Sequence, residues 1–354
     1  MNALSAWSVL QLFGGLVLLI AGAQLLVRCA EHIASKLKVR PLLVGLTVVA
    51  MGSSAPQMTV SLQAALNDTA DIAVGSVIGS NIFNILVTLG LSALIIPLRV
   101  SRQLVRLDIP LMILASIMVF ALALNHQLDR LDGALLLVGL LVYLFLLLHQ
   151  SRHSGHHHPG RDTPHASWLR TLTQMGCALL LLGFAGHLLL GAAVEVASEL
   201  GLSERIIGLT IIAVSTSLPE LATSLIAAFR GQREIAVGNV IGSNVFNLLG
   251  VLGLTALLAP APLSVSPNAL AFDLPVMLGV AALCLPVFYS GYRVTRAEGL
   301  LFLGLYLAYG LHVVSFTTGM PLAGKLEHLM LFYILPALSL FLLFSTLRAW
   351  RRQH

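Results

Sequence analysis

Glu220 follows Pro219 in the string STSLPE, in the middle of a long apolar stretch, so a carboxylate sits where water is scarce. An ionised group at the centre of a bilayer costs on the order of 3 kcal/mol on insertion scales. A residue that costly is usually kept for what it binds; the plain alternative is a protonated Glu hydrogen-bonded between helices. It is the one carboxylate that the sequence places well inside an apolar span. A second string, GSSAPQ, puts Gln57 directly after Pro56 in another apolar stretch. Proline removes a backbone donor and clashes with the carbonyl one turn back, so both helices are expected to bend or unwind there. Backbone carbonyls freed at that depth survive only when buried in protein or lining a wet cavity. Carbonyls, hydroxyls and a carboxylate are hard oxygen ligands, and such a set suits Na+ or Ca2+.

Two further polar pairs accompany these strings. Ser80 and Asn84, and Ser243 and Asn247, are each spaced i to i+4 and therefore share one helical face. Taken alone they read equally as interhelical hydrogen-bonding glue. Gly75 with Gly79, and Gly238 with Gly242, form GxxxG patterns that predict close helix packing. His153, His156, His157 and His158 fall in the longest loop and read as a solvated linker; metal binding or pH sensing is the alternative.

The elements that position these residues recur. Gly45–Leu94 matches Gly208–Leu257 at a constant offset of 163 residues, with 27 of 50 positions identical and no gap. Chance apolar similarity would match Leu, Val and Ile, but Ser54/Ser217, Pro56/Pro219, Ser80/Ser243, Asn81/Asn244 and Asn84/Asn247 match too. Eleven apolar spans centre near Val17, Ser54, Phe83, Ile117, Leu140, Leu182, Ser217, Phe246, Val280, Leu305 and Phe341. The first copy starts on the second span and the second on the seventh. An odd offset of five helices makes the copies enter the membrane from opposite sides, an inverted-topology repeat.

Composition and charge agree with this. The chain is 57% hydrophobic and only 10% charged, more apolar surface than a water-soluble domain can hide. Seventeen of the 20 Lys and Arg fall in one alternate set of loops and the C-terminal tail; Arg130, Arg205 and Lys325 are the rest. By the positive-inside rule the N-terminus lies outside and the RRQH tail inside, in a plasma membrane of bacterial inner-membrane type. Basic residues spread over short loops are no nucleic-acid footprint. Cys29, Cys177 and Cys284 lie in apolar runs and read as packing residues, and the first apolar run reads as a retained helix. The expected fold is all-α and polytopic: residues 1–150 a first five-helix repeat, 151–168 a His-rich cytoplasmic linker, 169–320 the inverted second repeat, and 321–354 an extra helix with a basic tail.

Both copies resemble the α-repeats of the sodium/calcium exchanger family, within the cation/Ca2+ antiporter superfamily. The family strings G-(T/S)-S-x-P-E and G-N-x-x-G-S-N-(I/V)-F-(N/D) are close to GSSAPQ, STSLPE and VGNVIGSNVFN here. The resemblance implies ten core helices, with the second, third, seventh and eighth around a chamber for Na+ and Ca2+. It also implies alternating access as the first and sixth helices slide past that core. By motif position it assigns the Ala50 carbonyl, Ser53, Ser54, Gln57, Ser80 and Asn84 to the ions from the first copy. From the second it assigns the Ala213 carbonyl, Thr216, Ser217, Glu220, Ser243 and Asn247. Two positions depart from the family: Gln57 replaces a common Glu, and Asn247 stands where some relatives have Asp.

The leading expectation is therefore exchange of Na+ for Ca2+ across the lipid bilayer, with no cofactor. The first rival is a monovalent exchanger of Na+, K+ or H+ whose Ca2+ selectivity is weakened by Gln57. The second is a membrane scaffold or sensor without transport. An enzyme is disfavoured, since the sequence holds no nucleotide-binding loop, no HExxH and no nucleophile with a base at one depth.

Overall fold

A computed structural model describes residues 6–67, 69–153, 167–199, 212–289, 291–318, 325, 328–334, 337 and 340. The expected span near Phe341, the loop histidines His156, His157 and His158, and Arg205 lie outside the described residues.

The first half runs α1 (Ala6–Leu37), α2 (Pro41–Ser53), α3 (Ala55–Leu66), α4 (Ala70–Ile95), α5 (Leu104–Asn125) and α6 (Arg130–His153). The second runs α7 (Trp168–Glu199), α8 (Ile212–Thr216), α9 (Leu218–Phe229), α10 (Arg233–Leu258), α11 (Ala269–Tyr289) and α12 (Arg296–Thr318). Among the described residues seven helices are long and apolar enough to cross a membrane, or eight when α2 and α3 count as one bent span. The two meet at 42°, and the bend falls at Ser54, just before Pro56 in the first turn of α3. The matching break between α8 and α9 falls at Ser217, before Pro219. Proline is tolerated in a first helical turn, where its missing N–H would have no partner, so each proline starts a new helix. This is a polytopic all-α membrane protein.

Periodicity fails as a guide because apolar residues lie on every face, but burial separates the faces. On α6, Leu136, Tyr143 and Leu147 are buried, whereas Leu135, Val138, Leu141, Phe145 and Leu148 are exposed as a lipid-facing side. In contrast α4 and α10 are enclosed over most of their length and form the centre. Cys29 and Cys284 pack inside, but Cys177 is exposed on the outer side of α7, so only two of the three cysteines are core residues.

The halves pack reciprocally, as a two-fold relation demands. Helix α2 lies on α10 while α8 lies on α4; α4 packs on α12 while α10 packs on α6; α1 lies along α7, and α5 against α11. Two short antiparallel ladders tie the halves further. β1 (Leu98–Arg99) pairs with β4 (Arg293–Val294), and β2 (Gln127–Leu128) with β3 (Leu263–Ser264).

Glycine lets α2 and α10 approach to backbone contact. A Cβ built on Gly242 would lie 2.5 Å from the Leu46 carbonyl oxygen and 2.8 Å from the Ala50 Cβ; on Gly238 it would lie 2.9 Å from the Leu42 carbonyl. Close packing is what the GxxxG pattern predicted for this helix. Gly242→Ala is therefore expected to cost about 1–3 kcal/mol by overpacking. Gly279→Ala, where nothing lies within 4 Å of the added carbon, is expected to be harmless or slightly stabilising. Thermal unfolding in detergent compares the two, and equal midpoints would remove the packing argument.

Candidate functional site

The two proline breaks face one another. Ser54, the residue at the first break, donates its hydroxyl to Glu220 Oε1 of the second half at 3.0 Å. Ser217 Oγ, at the second break, lies 2.7 Å from Ser80 Oγ of the first half and 2.9 Å from the Ala213 carbonyl, to which it can donate. Ser53 Oγ lies 3.1 Å from Asn239 Oδ1, 3.4 Å from Ser243 Oγ and 3.3 Å from the Ala50 carbonyl. Thr216 donates to the Ala213 carbonyl at 3.1 Å. Asn247 Nδ2 reaches across to Ser80 Oγ at 3.2 Å and Asn81 Oδ1 at 3.1 Å. All twelve positions named from the sequence are buried, and hydrogen bonds among Ser53, Ser54, Ser80, Ser217, Glu220, Ser243 and Asn247 join the two halves. Glu220 is fully enclosed, which excludes a lipid-facing carboxylate.

Asn84 is buried as well, and neither its amide nitrogen nor its oxygen has a hydrogen-bond partner. Gln57 is turned toward its own half. Its Nε2 donates to Ser61 Oγ at 3.2 Å and Ser76 Oγ at 3.0 Å, and its Oε1 is left unpaired.

The sequence reading missed an outer ring of polar residues. Asn239 Nδ2 donates to the Glu220 carbonyl at 3.2 Å and to Ser224 Oγ at 2.9 Å, holding the first turn of α9 against α10. Ser76 and Ser61 occupy the corresponding places around Gln57. The signal was present: Ser76 lies four residues before Ser80, as Asn239 lies four before Ser243, and Ser61 matches Ser224 in the repeat. Asn81 and Asn244 form a reciprocal pair. Each side-chain amide donates to the other's backbone carbonyl, at 3.3 and 3.2 Å, placing the two-fold relation at the crossing of α4 and α10.

Glu220 is not the sole buried carboxylate, contrary to the sequence expectation. Asp108, near the start of α5, is fully enclosed, and Asp273, near the start of α11, is partly so.

The atoms left without partners define what the centre can accept. Glu220 Oε2, Gln57 Oε1, Asn84 Oδ1, Asn244 Oδ1 and Asn247 Oδ1 are buried acceptors with no donor, beside the unpaired amide Asn84 Nδ2 and the unpaired hydroxyls of Thr88, Ser92, Thr223 and Thr255. Buried polar groups are normally satisfied, so open oxygens in a buried set that holds a carboxylate are complementary to a cation.

Bent apolar helices joined reciprocally around a buried, oxygen-rich centre define a polytopic membrane protein built to bind cations. The sequence profile described as "Sodium/calcium exchanger protein" matches residues 7–149 and 171–315, and the chain belongs to that family. The putative antiporter CaxA of Alkalimonas amylolytica is 40% identical over 306 residues, 83% of this chain and 95% of CaxA. The sodium/calcium exchanger MaX1 of Methanosarcina acetivorans is 31% identical over 337 residues, covering 83% of this chain and 95% of MaX1. Among solved structures, the sodium-calcium exchanger NCX_Mj superposes with a TM-score of 0.73 at 30% identity, covering 85% of this chain and 97% of NCX_Mj.

The reciprocal asparagine pair can be tested directly. Asn81→Ala and Asn244→Ala are each expected to lower stability by about 1–3 kcal/mol, because each deletes a buried hydrogen bond. Combined, they are expected to cost measurably less or more than the sum, since the sites share partners. Strict additivity in a double-mutant cycle of unfolding free energies would show that the two bonds are independent.

Proposed function

We propose that the chain is a secondary antiporter that exchanges Na+ for Ca2+ by alternating access, binding both ions between the two proline breaks. The observation that carries this reading is the enclosed Glu220 carboxylate, bonded by Ser54 of the opposite break and left with one open oxygen. The names of MaX1 and NCX_Mj support the ion pair, and that of CaxA supports antiport. The ligands are the Ala50 and Ala213 carbonyls with Ser53, Ser54, Gln57, Ser80 and Asn84, and Thr216, Ser217, Glu220, Ser243 and Asn247. Glu220 supplies the fixed negative charge, and the hydroxyls and amides replace the ions' hydration shells.

On this reading the repeats are inverted across the membrane, each opening the centre to one side in turn. The long α1 and α7, packed along one another, form the moving element against α2–α6 and α8–α12. The charged loops set the orientation: N-terminus outside, C-terminal tail in the cytoplasm. The 36% identity to the inner membrane protein YrbG of Escherichia coli, over 75% of this chain and 84% of YrbG, supports a bacterial inner membrane.

A second reading, exchange of monovalent cations, is favoured by one specific observation. Gln57 uses its amide nitrogen to hold Ser61 and Ser76, so only its neutral Oε1 is available to an ion, and Glu220 bears the charge alone. Two carboxylates neutralise Ca2+; one neutralises Na+. A missing unit charge about 4 Å away is worth roughly 4 kcal/mol at an effective dielectric near 20, before relaxation.

Purified protein in sealed vesicles separates these readings. Ca2+ uptake driven by an outward Na+ gradient is expected for the native chain and is expected to be abolished by Glu220→Gln. Gln57→Glu is expected to tighten Ca2+ binding at least tenfold, because a glutamate there accepts from the same two hydroxyls and restores the second charge. Gradient-driven Na+ flux without any Ca2+ flux would establish the second reading instead. No flux of either ion would point to a scaffold.

A further inference from the structure

The residues that follow the two prolines differ in how they are held as well as in charge. Gln57 and Glu220 occupy matching positions of the repeat, as do Ser61 and Ser224, and Ser76 and Asn239. In the second half the carboxylate takes no part in holding its own surroundings together. Asn239 Nδ2, from α10, donates to the Glu220 backbone carbonyl at 3.2 Å and to Ser224 Oγ at 2.9 Å. Ser224 in turn donates to the Ala236 carbonyl at 3.3 Å. A serine hydroxyl has one proton, and this one is committed to a carbonyl, so Ser224 has none to offer the Glu220 side chain. The carboxylate is spared for the opposite break, where Ser54 donates to it at 3.0 Å.

The first half meets the same demand differently. Ser76 cannot do what Asn239 does, because it carries no amide and its hydroxyl ends one bond nearer the backbone than an asparagine nitrogen. The nitrogen that reaches Ser61 comes from Gln57 itself, whose Nε2 donates to Ser61 Oγ at 3.2 Å and to Ser76 Oγ at 3.0 Å. Each half therefore brings one amide nitrogen to the serine one turn beyond its break: from the neighbouring helix in the second, from the break residue in the first. Ser61 and Ser76 are 0% and 1% exposed, so bulk water does not replace either bond. A buried N–H that leaves its acceptors without finding others is costly, and the two hydroxyls thus hold the end of Gln57 to its own half.

We propose that Ser76 is a positioning residue that sets cation selectivity: lacking the amide that Asn239 carries, it keeps Gln57 on Ser61 and Ser76 and leaves Glu220 as the break side chain turned across to the other half. The inference rests on the cation-exchange reading and names a determinant for it. Ca2+ takes six to eight oxygen ligands, so withholding one neutral oxygen works against Ca2+ in particular. An amide supplied at position 76 would serve Ser61 in place of Gln57 and free the glutamine oxygen for the ion.

Equilibrium binding of radioactive Ca2+ and Na+ to the detergent-purified full-length protein tests this. Ser76→Asn is expected to tighten Ca2+ binding about three- to tenfold, the equivalent of one net polar contact in a buried site, with a smaller change for Na+. The gain is expected to vanish when Gln57→Ala is also present, because the effect passes through that side chain; a purely structural change would act alike in both backgrounds. Ser76→Ala, which deletes one of the two holding hydroxyls and adds no bulk, is expected to give a smaller gain with the same dependence on Gln57, and it decides the matter should Ser76→Asn fail to fold. Unchanged Ca2+ binding, or a gain of equal size with and without Gln57→Ala, would overturn the proposal. A gain as large for Na+ as for Ca2+ would overturn it too, since selectivity would not have moved. In those cases the native chain still binds cations and the exchange reading stands. Binding of neither ion by the native chain would bring down that reading, and this proposal with it.

Discussion

The hydrogen bond from Ser54 to Glu220 joins the break of one half to the carboxylate of the other, and the rest of the molecule is arranged to allow it. A carboxylate can be enclosed among apolar helices only where something answers its charge and its lone pairs. One oxygen is answered by Ser54, and the other remains open toward the neighbouring acceptors. Each proline begins a new helix at the matching position of its half. Glycines on α10 bring it to backbone distance from α2, so the two breaks are held together and not merely near.

Two-fold repetition supplies the architecture, and its departures supply the chemistry. The reciprocal Asn81–Asn244 pair and the paired ladders are shared equally by both halves. Around that frame Gln57 opposes Glu220, and Ser76 opposes Asn239. Each exchange alters charge or reach by one group while leaving the backbone alone. A symmetric scaffold with identical side chains would offer an ion the same energy from either half; these substitutions make the halves unequal.

Helix geometry explains how one face of α4 carries so many polar groups. Ser76, Ser80, Asn84, Thr88 and Ser92 recur every four residues and are all buried. In a regular α-helix each such step drifts about 40° around the axis, since a turn takes 3.6 residues. The segment Asn84–Leu89 is π-helical, with wider turns that take up this drift and keep the row on one side. A π-helical segment at Phe246–Val251 follows Ser243 in the same way on α10.

Read alone, the residues mark the chain as an all-α membrane protein with two proline breaks and two copies of the same polar strings. Those properties are local: apolar length, proline, and the identity of residues at a fixed offset. The twelve positions marked by the sequence are all buried, because a repeated motif preserves position even when the contact is remote. Which group faces which emerges from packing. That Ser54 reaches Glu220 across 166 residues, that Gln57 turns away to Ser61 and Ser76, and that Asn239 braces α9 depend on helix crossing angles no single segment encodes. The burial of Asp108 was hidden for the same reason. Beside Arg102 and Arg106 it reads as a surface acid until α6 and α11 close over it, and enclosure is a property of packing, not of composition.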